Sequence, residues 1–447
     1  MEHIVIIGNG ISGVTAARHI RKKSDKKVTI ISSESKHFFS RTALMYVYMG
    51  HMRFKDIQPY EDHFWMKNNL NLVQDHVSFI DTENKKLTLT NSSPILYDKL
   101  ILAVGSKPNR FGWKGQDLDG VQGLYSKQDL ELMEFNTRGI KHAVVAGGGL
   151  IGIEMAEMLI SRNISVDFLV REDSFWNGVL PKQESQLINN HIGKHHGVNL
   201  RLSTELDEII SDDNGRVKEI KTKNGEIIPC QFVGLTAGVS PNIGVVNNTP
   251  IEVGKGIKVN AYLETNVKDV FAIGDCAEQL YPVGQRRALE QVWYTGRMMG
   301  ETVAQTICSA PTKYQPGHWF NSAKFFDIEY QTYGWVWNSL KDGEEEYVYQ
   351  HPTKEILLHF VFDQSSKEFK GINTFGVRMR HEIFDNWLTQ KVSVEHVIQN
   401  LRTANFDPEF YAHFEKEVVE GYNLQFKSNL TLNKPVWWRK LLKPQTV

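Results

Sequence analysis

The sequence predicts an α/β fold, and three observations carry that prediction. A run of apolar residues at Ile4–Ile7 leads straight into closely spaced glycines. The same strand-and-glycine unit returns at Ala143–Gly152, and beyond residue 316 the pattern changes to strands followed by helices. Ile4, Val5, Ile6 and Ile7 show no polar alternation, as expected of a parallel strand buried on both faces. Gly8-Asn9-Gly10-Ile11-Ser12-Gly13 then has G-x-G-x-x-G spacing. Gly8 permits a tight turn, Gly10 lets the backbone approach a pyrophosphate, and Gly13 lets a helix pack close to the strand. That helix presents its first N–H groups to phosphate. Val28-Thr29-Ile30-Ile31 reads as the next strand, and Glu34 follows about 20 residues after the last glycine, where a ribose hydroxyl needs an acceptor. Strand, glycines, helix and acid in this order point to a dinucleotide site bound by Gly8, Asn9, Gly10, Ile11, Ser12, Gly13 and Glu34.

With 447 residues, the chain is long for one core and suggests two or three domains. Hydrophobic residues make up 41% and charged residues 23%, the balance of a soluble globular protein. A net charge of −1 gives no reason to expect nucleic acid. Cys230, Cys276 and Cys308 are too few and too scattered for a disulfide framework, no C-x-x-C occurs, and no metal site is expected. The chain enters a core strand at once, which leaves no room for a signal peptide, and no apolar run is long enough to span a bilayer. A cytoplasmic location is expected, with a peripheral position on the cytoplasmic membrane face left open by the tail.

After the first unit comes an aromatic-rich loop, His37–Gly50, in which the planar fork of Arg41 suits a pyrophosphate. Leu100–Val104 is an apolar strand, and Ala103-x-Gly105-Ser-x-Pro closes it as a turn against a ligand or a crossover between domains. Ala143–Ala146, Gly147-Gly148-Gly149-Leu150-Ile151-Gly152, a helix through Ile160 and the strand Val166–Val170 repeat the first fingerprint. Two such fingerprints imply two dinucleotides and transfer between them, with Gly147, Gly149, Leu150, Ile151 and Gly152 at the second site. From Gly178 to Gly254 the pattern reads as polar turns and short strands, with hairpin signals at Asp212–Arg216 and Asn224-Gly225. Phe232–Ala237 is a buried strand that ends at Gly238, another binding candidate. Val270–Ala277 reads as strand, Gly274-Asp275, then helix, where Asp275 accepts from ligand hydroxyls, caps the helix, or does both. Cys276 is expected to be a packing residue.

Strands at Glu355–Phe362 and Lys370–Phe375 and helices at Val377–Thr389 and Val394–Arg402 make an α+β module. The tail, Lys427–Val447, holds five basic residues and no acidic one, with Trp437 and Trp438 beside Arg439 and Lys440. This composition suits a bilayer interface; docking on its own domain or on a second subunit is the favoured alternative. The domain reading is 1–115 with 245–315 for one dinucleotide domain, 116–244 for the other, 316–426 for the α+β domain, and 427–447 for the tail. The fold class is therefore α/β: two Rossmann-like dinucleotide-binding domains (three-layer ββα/βαβ) plus a C-terminal α+β domain.

In their order, Gly8–Gly13 with Glu34, Ala103-x-Gly105, Gly147–Glu154 and Ala272-Ile273-Gly274-Asp275 resemble the two-dinucleotide flavoprotein reductases, the pyridine nucleotide–disulfide reductase superfamily. The resemblance covers roughly the first 300 residues and is nearest to ferredoxin reductases, apoptosis-inducing factor and NADH oxidase-like members without a redox cysteine. It implies that the first fingerprint and Gly274-Asp275 hold FAD and that the second fingerprint holds NAD(P)H. Arg41 matches the arginine of the ferredoxin reductase loop. Thr42 stands where disulfide reductases carry a redox cysteine, and a hydroxyl cannot form a thiolate. Tyr46 replaces the lysine that pairs with the glutamate matched by Glu154, so Tyr46 and Glu154 are the catalytic candidates. Arg287–Arg297 resembles the helix after Gly-Asp in the same groups, and His318–Ser322 resembles their W-F-W-S segment.

The resemblance implies an FAD-dependent NAD(P)H oxidoreductase. Hydride passes from nicotinamide to flavin, and electrons then go directly to an iron–sulfur protein, a quinone or oxygen, with no redox disulfide. The alternatives are an NAD(P)H-responsive switch of apoptosis-inducing-factor type and a peripheral membrane quinone reductase. The expected partner is an electron-acceptor protein or quinone, with no nucleic acid; membrane contact through the tail and a homodimer are left open. NADPH is expected over NADH. Val170 occupies the position where NAD-selective sites place a ribose-binding acid, and Arg171 offers a fork for the 2′-phosphate, with Glu172 opposing it.

Overall fold

A computed structural model describes residues 1–195, 197–407 and 413–433. The Trp-rich part of the tail, 434–447, lies outside the described residues. The chain forms two compact units, Met1–Arg171 with His196–Pro316, and Glu172–His195 with Gly317–Val447. Among the described residues, no helix is long and apolar enough to cross a membrane.

The first unit contains two five-stranded parallel sheets. One runs Val270–Ala272, Lys99–Leu102, His3–Ile7, Lys27–Ser32, Leu70–Gln74, and in the other His142–Ala146 takes the central place between Ser165–Leu169 and Val233–Leu235. In register, Ile4 lies between Val28 and Lys99, and Ile4, Val5 and Ile6 are fully buried, as a central strand covered on both faces requires. Ser106–Pro108 pairs antiparallel with Val239–Pro241, so the A-x-G-S-x-P segment opens one of two crossover strands. The helix Trp293–Cys308 packs closely against the helix Ile11–Lys23: a Cβ on Gly300 would meet the Ser12 carbonyl oxygen at 2.6 Å.

Three expectations are corrected here. First, Gly274–Cys276 forms one 3-10 turn and leads into the short strand Ala277–Gln279; the helix begins only at Trp293, so Arg287–Val292 is not helical. The positive φ of Gly274, 74°, bends the chain away from a helical path. Second, Lys182–Ile192 is a helix inside the stretch read as turns and strands. Third, residues 172–195, read as part of 116–244, group with the second unit.

The second unit is built on a five-stranded antiparallel sheet in the order Phe320–Phe325, Ile328–Gly334, Phe369–Phe375, Leu357–Asp363, Glu344–Gln350. The helices His381–Gln390 and Glu415–Phe426 supply Phe384, Val418 and Tyr422 to its core, and Val394–Gln399 ends in a 3-10 turn at Leu401–Ala404. A polar network crosses this core. Glu184, fully buried on the unexpected helix, accepts from Asn373 Nδ2 at 2.8 Å and lies 2.8 Å from His359 Nδ1. His359 Nε2 lies 2.9 Å from Glu346. Burial pulls the His359 pKa down, but the two carboxylates outweigh it and raise the value from 6.5 to about 9. Burial pushes Glu184 up, against the pull of His359.

The sign for His359 follows from linkage. Between pH 6.5 and about 9 the folded protein holds a proton that the unfolded chain has released. The stability from this network is therefore complete below about 6.5 and lost as pH rises through about 9. Chemical denaturation of the full chain should show stability falling over this window, and His359→Gln should flatten the fall. Glu184→Ala should cost about 3–5 kcal/mol, because it leaves His359 and Asn373 short of a buried partner. A variant with an unchanged slope would contradict this assignment.

Candidate functional site

The site is built on two glycine turns at the carboxyl ends of the parallel strands. Gly8 has φ +112°, and a Cβ there would lie 2.1 Å from the Ala103 carbonyl oxygen. A Cβ on Gly13 would lie 2.1 Å from the Gly8 oxygen, whereas one on Gly10 would meet nothing within 4 Å. Gly8 and Gly13 thus answer to packing, and Gly10 leaves open space. The second turn repeats this arrangement. Cβ atoms on Gly147 and Gly152 would meet the Thr236 oxygen at 2.5 Å and the Gly147 oxygen at 2.1 Å, and Gly149 is open. Asn9 is buried and donates to the Ser35 carbonyl at 2.7 Å, which ties the first turn to the loop after the second strand.

A cavity of about 760 Å³ opens beside the first turn. Gly8, Asn9, Gly10, Ile11, Ser12, Glu34, Arg41, Thr42, Ala103, Gly105 and Asp275 line it, and Leu150, Ile151 and Glu154 close it from the helix of the second turn. Both fingerprints therefore face one space. Gly13, Gly147, Gly149, Gly152, Gly238, Gly274, Val170 and Arg171 are outside the lining, as framework of the turns or at the second strand end. Tyr46 is also outside it. Successive helical residues point about 100° apart, so in Leu44–Tyr48 the inward side falls to Leu44 and Met45, while Tyr46 stacks on His51 with ring centroids 6.2 Å apart. Tyr46 therefore lies beside the cavity and not in its lining.

Glu34 and Arg41, assigned separate ligand roles by sequence, form one bidentate pair at 2.9 and 2.6 Å. Arg41 also donates to the Tyr125 carbonyl at 2.5 Å and lies over the Tyr125 ring at 4.4 Å. Glu34 takes a third donor, the Lys127 N–H at 2.9 Å. A carboxylate has about four acceptor positions, so Glu34 keeps one for a hydroxyl. Asp275 lies 3.2 Å from Ser106 Oγ and 3.5 Å from Tyr125 Oη, and burial pushes its pKa up. Ser106 in turn accepts from Gln291 Nε2 at 2.6 Å. Sequence reading missed Tyr125, Ser106 and Gln291 as site residues; Ser106 lay in the turn noted after Gly105 and Gln291 in the family-like stretch Arg287–Arg297, whereas Tyr125 carried no signal.

Glu154 is half-buried in the wall of the cavity. Burial, reinforced by Glu157, pushes its pKa up to about 7, so it holds a proton below neutrality and a charge above it. No described cysteine lines the cavity. Burial raises the Cys276 and Cys230 thiols to about 11 and about 12, which leaves little thiolate at neutral pH. Thr42 does line the cavity and lies 3.3 Å from Ser40 Oγ, hydroxyl to hydroxyl.

Two parallel sheets, one with its glycine turn and the other with the start of its following helix lining a shared cavity, define the architecture of the two-dinucleotide flavoprotein reductases. The family model for pyridine nucleotide-disulphide oxidoreductases matches residues 2–303, and the chain belongs to that family. It is an oxidoreductase, and the family implies FAD and NAD(P)H. The chain is 32% identical over 281 residues to a nitrite reductase [NAD(P)H] of Bacillus subtilis, covering 62% of this chain. It spans only 34% of that relative's length. It is 28% identical over 340 residues to an NADH oxidase of Methanocaldococcus jannaschii, covering 73% of this chain and 74% of the relative. The crystal structure of a ferredoxin reductase from Rhodopseudomonas palustris superposes with a TM-score of 0.78 at 20% identity, over 94% of this chain and 99% of that one.

The cavity fits FAD on its own chemistry. Gly10 provides close backbone approach, the first helix directs its N–H groups inward, and Glu34 and Asp275 offer acceptors for hydroxyls. For Glu154, the pH profile of NAD(P)H oxidation should carry an inflection near pH 7 that disappears in Glu154→Gln. An inflection that persists unchanged in the variant would belong to another group.

Proposed function

We propose that this protein is an FAD-dependent NAD(P)H oxidoreductase that delivers electrons to an external acceptor without a redox disulfide. One observation carries the proposal: helices from both glycine turns wall a single cavity, and no described cysteine does. Gly8, Gly10, Ile11, Ser12, Glu34, Arg41 and Asp275 would hold FAD, with the pyrophosphate at the N-terminus of the first helix. Bound FAD supplies the two-electron carrier between nicotinamide and acceptor. The chain itself excludes water through Leu150 and Ile151, holds a proton at the Glu154 carboxyl, and anchors Glu34 through Arg41. A small redox protein is the acceptor class we favour, because two rubredoxin-NAD(+) reductases are 29% and 27% identical to this chain over 72% and 83% of their own lengths. Quinone and oxygen are the competing acceptors.

NADPH is the proposed donor. The Val170 side chain is fully buried and its methyl groups face Gly148, so it neither accepts from a ribose nor repels a phosphate. Arg171, at the same strand end, is exposed. A charge-assisted phosphate contact contributes about 1.5–3 kcal/mol, so Arg171→Ala should raise the KM for NADPH by about an order of magnitude and leave that for NADH nearly unchanged. Steady-state assays with an artificial acceptor decide this. Better use of NADH, with an NADPH constant insensitive to the substitution, would reject it. In the same assay, replacing Cys230, Cys276 and Cys308 together should keep activity within a few fold. Loss of activity in Cys276→Ser with FAD still bound would reject the disulfide-free route.

A further inference from the structure

The second unit contains a cluster of metal-binding side chains that the proposed reaction does not use. His191 lies in the last turn of the helix Lys182–Ile192. The chain then tightens, with the N–H groups of Lys194 and His195 bonded to carbonyls three residues back. His191 and His195, four residues apart, therefore share one face. Facing them is Asp327, at the two-residue tip between the strands Phe320–Phe325 and Ile328–Gly334. Phe326 at this tip has φ 54°, and its buried ring stacks on His195 with centroids 4.3 Å apart.

Three ligand atoms converge. His191 Nε2 lies 2.6 Å from Asp327 Oδ1 and 3.2 Å from His195 Nε2, and His195 Nε2 lies 3.5 Å from the same Asp327 oxygen. Among two neutral imidazole nitrogens and one carboxylate oxygen that converge in this way, the hydrogen bonds rest on a single Nε2–H shared between two acceptors. Each neutral ring has only one N–H, and two N–H groups facing at this distance repel. A divalent cation satisfies all three lone pairs together. Tetrahedral ligands at 2.0–2.1 Å lie roughly 3.3 Å apart, close to the separations of His195 Nε2 from its two partners. Asp327 has to retreat by less than 1 Å from His191 to match, and its side chain is 77% exposed at the hairpin tip, free to do so. The nearby Lys194 does not oppose a cation as a bare charge, since it is paired with Glu355 at 2.7 Å.

We propose that His191, His195 and Asp327 form a zinc-type divalent cation site that fastens the helix Lys182–Ile192 to this hairpin. The donor set, two imidazoles and one carboxylate, selects Zn²⁺ over Mg²⁺ or Ca²⁺, which prefer all-oxygen sites. The solvent exposure of Asp327 leaves a fourth position for water. Sequence reading assigned no metal here because the helix carrying the histidines was itself not expected.

The test uses the full chain, stripped with EDTA, desalted and titrated with ZnCl₂ against a chromophoric zinc indicator, alongside thermal unfolding. One Zn²⁺ per chain should bind with low-micromolar or tighter affinity and raise the Tm. His195→Gln and Asp327→Asn, both at partly or largely exposed positions, should each weaken binding at least tenfold and abolish the rise in Tm. The exposed histidine variant His63→Gln should bind like the parent. Absence of stoichiometric binding in the parent, or equal affinity in His195→Gln and Asp327→Asn, would overturn the proposal.

Discussion

Two backbone contacts set the geometry of the first unit. A Cβ on Gly13 or on Gly152 would lie 2.1 Å from the carbonyl oxygen of the glycine that opens the same turn. Because the opposing atom is backbone, no side-chain rotation relieves the overlap. Any larger residue pushes the helix off its strand and withdraws the helical N–H groups from the cavity. The two turns are thereby held to one shape, and the helices that follow them wall a common space.

Charge inside that space is governed by burial. Glu34 and Arg41 neutralise one another in a bidentate pair, which holds the loop carrying Arg41 against the strand end carrying Glu34. Burial moves Asp275 and Glu154 toward the protonated form; for Asp275 it outweighs the pull of Arg41, and for Glu154 it is reinforced by Glu157. The same effect keeps the buried thiols of Cys230 and Cys276 protonated. Glu154 is thus a cavity carboxyl that changes protonation near neutrality while these thiols do not, as expected of a reductase proposed to work without a dithiol.

The strands Ile4–Ile7 and Ala143–Ala146 and their glycine turns were legible because apolar runs and G-x-G-x-x-G spacing are local signals. The helix Lys182–Ile192 was not. Its inward face carries Glu184 and His191, whose burial depends on His359, Asn373 and Asp327, more than a hundred residues away. A polar residue satisfied by a distant partner looks like a surface residue in sequence. Tyr46 falls outside the cavity lining for a related reason: family position identifies a residue, but the phase of a five-residue helix decides which side chains face the cavity. The Glu34–Arg41 pair joins two correctly chosen residues in a contact that neither motif specifies. Gly274-Asp275 was found as a site and mistaken as a helix start, since a 3-10 turn and an α-helical first turn share the same opening residues.

The central claim is that the two fingerprints bring a nicotinamide donor and FAD together in one cavity. Anaerobic rapid mixing of the FAD-loaded protein with NADPH tests it most directly. One equivalent of NADPH should bleach the flavin absorbance of one FAD per chain, with no thiol becoming newly titratable. A protein that fails to bind FAD, or whose bound FAD is reduced by neither NADPH nor NADH, would contradict it.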